Sequence, residues 1–358
     1  MKKAVVLGMI LLAIGGMAFA DGSTVGMGFG RTQFDLAYST GVSGTNIQQG
    51  YGWFGFPQVQ RFSLDFAWSN DHTAVNIDAY LGQPSTTLTW VNVYGTLKLV
   101  PDMVKVMIGK IEGDGFDAYR VDSAHPIHDV NNGNVGRMQG WGAIVDIAPK
   151  DSGFEASVFA KYSVADPTFP PAGIGSSADT DAANMVTNYE FAASYTVPSI
   201  VKIAVGSTKE GVVWPAPGRD IFVNAWILAV PNLSGYISVK DMGFDAPGTP
   251  TNISAELAAS YNMNPLTIIF AADFSSFSVG STTKWAVYPE VIYNMGMLSL
   301  GLYAGVAGGS ANSTIAYEIE PYVKLNDFGL RVSFDYVGST ASGAVSSWAI
   351  PVLIDWGF

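Results

Sequence analysis

Six carboxylates recur in short alternating segments of the chain: Glu190, Glu256, Asp273, Glu290, Glu318 and Asp335. A carboxylate can act as a general acid or base, as a metal ligand or as a fixed negative charge, and its neighbours decide which. Acid–base and nucleophilic catalysis lack their partners here. The chain has no cysteine and three histidines; His72 falls in a short turn and His125 and His128 in a long polar segment, so none lies on an inward strand near a serine with an Asp or Asn to orient it. No G-x-S-x-G, H-E-x-x-H or phosphate-binding loop occurs. The chain reads as a non-enzyme with no cofactor. His125 and His128 lie beside Asp122 and Asp129, a spacing that one metal ion could span, but histidines in a long polar segment are ordinarily solvated. Asp129, Asn131 and Gly133 match half of a calcium loop without its terminal Glu, so no metal is expected there. What remains for the six carboxylates is fixed charge. Either they select cations along a path, or they keep an interior wet and pair with Lys161, Lys284 and Arg331.

The elements that carry them alternate at period two, which is the signature of a half-buried strand. Phe62, Leu64, Phe66 and Trp68 oppose Ser63, Asp65 and Ala67; Tyr189, Phe191, Ala193 and Tyr195 oppose Glu190, Ala192 and Ser194. Ile253, Ala255 and Leu257 oppose Ser254 and Glu256, Ile315, Tyr317 and Ile319 oppose Glu318 and Glu320, and Leu330, Val332, Phe334 and Tyr336 oppose Arg331, Ser333 and Asp335. In these segments the charges fall on one face. The parity slips near Gly30 to Thr32, where a bulge is expected. Pro289, Pro321 and Pro351 fall inside strands and are expected at bulges or strand ends near a rim, because each removes a ladder donor. Turns alternate between short ones, such as Pro101-Asp102, Pro198-Ser199 and Asn326-Asp327, and longer polar stretches at 113 to 135, 164 to 186 and 209 to 218.

Charged residues make up 13% of the chain, about half the usual share of roughly 25%, and the mean hydropathy is positive. After the first residues no run of apolar side chains is long enough for a spanning helix. Apolar faces without a spanning helix point to a closed sheet, the other structure that satisfies its backbone in lipid. The expected fold is therefore all-β: a transmembrane antiparallel up-and-down β-barrel of about 18 strands, with about 16 as the alternative if the first segments do not span. A two-sheet sandwich would share the alternation but would carry more charge outside. Lys2 and Lys3, the apolar run Ala4 to Ile14 and the small residues Ala18 and Ala20 read as a secretory signal peptide over 1–20, cleaved near Ala20, with the barrel over 21–358. The formal net charge of −12 makes nucleic acid an unsuitable partner.

The last segment places Trp348, Ile350, Val352, Ile354, Trp356 and Phe358 on one face. It resembles the C-terminal strand of Gram-negative-type outer-membrane β-barrels, in which a terminal aromatic is read by the barrel-assembly machinery; Trp356 and Phe358 would be that signal. The whole chain resembles a porin-like barrel, and its light charge and Gly, Ala and Ser content are somewhat like spirochaete outer-membrane proteins. The resemblance implies the cell outer membrane as the location, lipid as a partner and a homotrimer as one assembly. It also implies that the long segment after the fifth strand folds into the lumen as a constriction, bringing Asp114, Asp117, Arg120, Asp122 and Asp129 to face the wall; the acidic loop motif of enterobacterial porins is absent.

A barrel of this size cannot fill its interior with side chains alone, so the expected function is a water-filled channel for passive diffusion of small hydrophilic solutes, mildly cation-preferring. Inward aromatics, Tyr94, Phe159, Phe222, Trp226, Tyr236, Tyr288, Tyr303 and Tyr322, could instead form a sugar slide or a FadL-like apolar path. From another class, the loops at 41 to 58, 113 to 135 and 164 to 186 could make an adhesin-like surface on a plugged barrel. Outward aromatics, Trp68, Tyr189, Tyr195, Tyr261, Trp285, Tyr293, Tyr317, Tyr336 and Trp348, fit interfacial girdles and need no ligand.

Overall fold

The computed structural model describes residues 23–39, 59–82, 88–115, 137–163, 189–208, 220–242, 252–275, 284–309, 312–344 and 346–357. Among the described residues nineteen strand segments run in chain order. They are β1 (Ser23–Ser39), β2 (Val59–Ser69), β3 (Thr73–Gly82), β4 (Leu88–Val100), β5 (Val104–Gly115), β6 (Arg137–Ile147), β7 (Phe154–Ser163), β8 (Tyr189–Val197), β9 (Val201–Thr208) and β10 (Asp220–Ile227). There follow β11 (Leu233–Met242), β12 (Asn252–Asn262), β13 (Leu266–Ser275), β14 (Lys284–Met295), β15 (Leu298–Gly309), β16 (Asn312–Leu325), β17 (Leu330–Ser333), β18 (Asp335–Ser339) and β19 (Ser347–Gly357). The segments β17 and β18 both lie between β16 and β19 and are one stave interrupted at Phe334, so eighteen staves result, as expected.

Each stave pairs antiparallel with its neighbours in sequence, and β1 pairs with both β2 and β19. The ring of pairings leaves no free edge, which is what a sheet in lipid requires. Among the described residues no helix is long and apolar enough to cross a membrane. Alternation sorts the two faces. On β8, Glu190, Ala192 and Ser194 are buried inward while Tyr189, Phe191 and Tyr195 are exposed outward; on β14, Ala286, Glu290 and Ile292 alternate with the exposed Val291 and Tyr293. Outward aromatics gather toward the two ends: Tyr195, Tyr261 and Tyr293 beside short turns, and Tyr189, Trp285, Tyr336 and Trp348 toward the other rim. At that rim the Tyr317 and Tyr336 rings lie 6.3 Å apart and those of Phe334 and Trp348 6.1 Å.

Short turns fix register at one end. Asp102, Asp151, Ser199 and Asn232 adopt left-handed backbone there (φ 57° to 62°), as do Gly296 and Gly329. Asn, Asp and Gly tolerate that region best, which explains their recurrence at these links. The bulge expected near Gly30 lies slightly earlier, where the β1–β2 register shifts between Met27 and Gly30.

Two of the three prolines depart from expectation. Pro289 and Pro321 do not sit at bulges near a rim; they stand within strands whose register is unchanged on either side, whereas Pro351 lies beside the β1–β19 register shift between Asp35 and Tyr38, as expected. The ladder simply lapses. Pairing of β14 with β15 skips Tyr288 and Pro289, and pairing of β16 with β17 and β18 skips Glu320 and Pro321. Pro321 has no N–H to give, while its carbonyl still accepts the Phe334 N–H at 3.0 Å. One missing donor therefore interrupts a stave without bending its register.

A second correction concerns the long segment after β5. Asp114 does not belong to a loop: β5 continues through Gly115, and Asp114 pairs with Met138 of β6. Asp117, Arg120, Asp122, His125, His128 and Asp129 lie outside the described residues, as do residues 1–22 and Phe358. Trp356 lies in β19, opposite Gly30.

Candidate functional site

The inward carboxylates are brought together by hairpin register. A single 3-10 turn, Asn326–Phe328, followed by left-handed Gly329, aligns Leu325 with Leu330 and Lys324 with Arg331. Carried along the stave, that alignment pairs Glu318 with Val337 and sets Glu320 level with Asp335 across the lapsed ladder. Because side chains alternate, Glu318, Glu320 and Tyr322 point inward beside Arg331, Ser333 and Asp335. Carboxylate oxygens of Glu318, Glu320 and Asp335 lie within 4.8 Å of one another. The Arg331 guanidinium donates to Glu320 Oε1 and stacks on the Tyr322 ring, 4.0 Å from its centroid. The Tyr322 hydroxyl donates to Glu290 Oε1 at 2.6 Å. Tyr303 completes the row, opposite Glu290 on one side and Glu320 on the other.

Tyr322 reaches Glu290, two staves away, because it crosses a glycine. Gly301 is its register partner, and a Cβ there would overlap the tyrosine ring. Phe222 does the same over Gly206, where a Cβ would sit 2.7 Å from Cζ. Rings laid flat along the wall occupy less of the lumen than rings projecting across it. Further round, Glu256 directly opposes Asp273, and Ser238, opposite Glu256, donates to Asn224 Oδ1 at 2.7 Å.

The other side of the wall is different. Met107, Ile111, Ile144, Phe159, Ala192, Ala204 and Phe222 pack together on β5 to β10, with Tyr94 and Trp226 against them. Glu190 stands at the edge of this apolar arc, opposite Phe159. Three lysines stand at the short-turn rim, while Lys110 is buried midway along β5: Lys98 Nζ donates to the Asn70 carbonyl at 2.7 Å, Lys105 pairs with Asp146 at 3.1 Å, and Lys202 pairs with Glu155 at 2.7 Å.

Burial is deeper than an open, water-lined wall requires. Glu190, Glu290, Glu318 and Asp335 are 0 to 2% exposed, Glu256 is buried and Asp273 half-buried. All eight inward aromatics are buried or packed against the buried clusters, with Tyr303 in the carboxylate row. Two members of the site were not singled out from sequence as part of it, Glu320 and Tyr322 as a hydrogen-bond donor to Glu290. The signal for Glu320 existed: folding 315–340 about Asp327 and Phe328 at period two places it level with Asp335. The Tyr322–Glu290 bond spans three staves and has no local signal.

No protein-family model and no curated protein matches the sequence. Among solved structures, Pseudomonas aeruginosa OccK10 (OpdN) superposes with a TM-score of 0.55, at 12% identity, over 94% of this chain and 99% of that one. OpdO from the same organism aligns with a TM-score of 0.53, at 10% identity, over 94% of this chain and 96% of its own. The fold is a porin-like β-barrel. A mutant of the Rh. blastica porin aligns more loosely, with a TM-score of 0.46 at 12% identity, over 93% of this chain and 100% of that one. At these identities the likeness to the porin-like barrels concerns architecture, and the site must be argued from this chain's own residues.

Proposed function

We propose that this porin-like barrel is an outer-membrane channel for passive diffusion of small hydrophilic solutes, with a preference for cations. The observation that carries the reading is the arc of inward carboxylates on β12 to β18, with Arg331 as the base engaged among them, on a ring of staves with no free edge. Low-dielectric walls focus such a field, so cations are enriched and anions depleted along the path. In this reading residues 1–20 direct export and are removed near Ala20, residues 21–358 form the barrel, Trp356 and Phe358 serve assembly, and Asp117, Arg120, Asp122 and Asp129 line a constriction. Deep burial of the inward wall supports a narrow passage over a wide one.

Planar-bilayer recording of the purified, heat-modifiable protein tests it, with reversal potential measured under a KCl gradient. Stable ohmic steps with cation selectivity, diminished in the Glu256→Gln/Glu318→Gln variant, are the expected result. The same burial gives weight to a second reading, a plugged barrel whose loops bind at the cell surface. A folded barrel that passes no current would turn the choice to that one.

A further inference from the structure

The geometry points to a single hard divalent cation, of the calcium class, held between β16 and β18 by Glu318, Glu320 and Asp335. Ligands to calcium stand about 2.3–2.6 Å from the ion, so two on opposite sides are separated by roughly 5 Å; magnesium, at about 2.0–2.1 Å, would draw them to roughly 4 Å. The three carboxylates, with oxygens within 4.8 Å of one another, are close enough to share one ion of the larger kind. An all-oxygen donor set, with no imidazole or thiolate, favours a hard cation over zinc or copper.

A second observation points the same way. Asp335 is 2% exposed, and its Oδ1 is buried and accepts no hydrogen bond. A buried carboxylate oxygen needs a donor or a cation, and a cation at the centre of the group supplies one. Arg331 lies beside the group, its guanidinium on the Tyr322 ring and paired with Glu320, which offsets one carboxylate of the three. The ion would also cross the sheet where the backbone ladder lapses, between the pairs Ile319↔Tyr336 and Tyr322↔Ser333. It would tie β16 to β18 in place of the donor that Pro321 lacks.

Glu318 and Asp335 belong to the selectivity set of the channel reading, so the inference deepens that reading, but binding can be measured without current. The probe is Tb3+ added to the protein in chelator-washed detergent micelles, with emission sensitised through the nearby Tyr303 and Tyr322. Saturable binding of one Tb3+ per chain is expected, displaced by Ca2+ at lower concentration than by Mg2+. The Glu318→Gln/Asp335→Asn variant should bind at least tenfold more weakly, while Glu155→Gln at the rim should bind like the parent. Ca2+ should also raise the unfolding temperature of the parent barrel and leave that of the double variant unchanged, since a ligand bound only to the folded state stabilises it.

Should the double variant not reach the folded, heat-modifiable form, Glu318→Gln alone replaces it. Absence of sensitised emission from the parent, or emission unchanged by these substitutions, overturns the site. A barrel that conducts and binds no Tb3+ overturns the site and leaves the channel; one that binds Tb3+ and passes no current does the reverse.

Discussion

The inward wall is built in two ways on one ring. From β5 to β10 it is apolar at its middle, with Phe159, Ile144 and Phe222 nearly inaccessible and packed on one another. From β12 to β18 the same inward positions carry Glu256, Asp273, Glu290, Glu318, Glu320 and Asp335. Both arcs obey the same alternation and the same antiparallel ladder, so the backbone does not distinguish them. The difference lies in what holds the side chains. Packing among apolar side chains holds most of the first arc, whereas each buried carboxylate must find a partner: Arg331 for Glu320 and the Tyr322 hydroxyl for Glu290. Charge in this barrel is therefore a property of partners, and the fold tolerates either wall.

Removing a partner should separate the arcs most clearly. Arg331→Met leaves Glu320 buried without its guanidinium, and breaking a buried pair costs about 3–5 kcal/mol. Denaturant unfolding in micelles should show that loss, and Arg331→Met/Glu320→Gln should recover most of it. A single-variant loss that the double variant does not recover would mean that Arg331 acts through packing on Tyr322 instead. A smaller effect should come from filling the glycine clefts. Gly301→Ala places a methyl group under the Tyr322 ring, and Gly206→Ala does so under Phe222; overpacking of this kind costs about 1–3 kcal/mol. In the apolar arc only stability should change. In the acidic arc the displaced Tyr322 also releases Glu290, so Gly301→Ala alone should shift the reversal potential toward stronger cation selectivity. Equal shifts in both variants would remove the functional distinction between the arcs. The smallest effect belongs to the rim, where Lys202 and Glu155 are partly exposed: Lys202→Met should change stability by less than about 1 kcal/mol, checked in the same unfolding measurement.

Much of the fold was legible from residues 59 onward, because period-two alternation names the inward and outward face of a strand without reference to its neighbours. Glu190, Glu256, Glu290, Glu318 and Asp335 could be placed on the inward face from local pattern, and the turns rich in Asn, Asp and Gly set eighteen staves. Pro289 and Pro321 were misjudged for a physical reason. A strand with neighbours on both sides can lose one donor at Pro321 and keep its register, since the pairs above and below hold it. The loop assignment of Asp114 failed because glycine-rich polar sequence continues a strand when a partner, here Met138, is present to pair with it.

The sequence by itself determined which side chains share a face, since the pleat repeats every second residue whatever the neighbours are. Only the tertiary structure decided that Glu320, level with Asp335, would sit under Arg331, that Tyr322 would cross Gly301 to reach Glu290, and that the carboxylates would be buried. Those outcomes depend on register across three or more staves, and register is fixed by turns and ladders far from the residues it brings together.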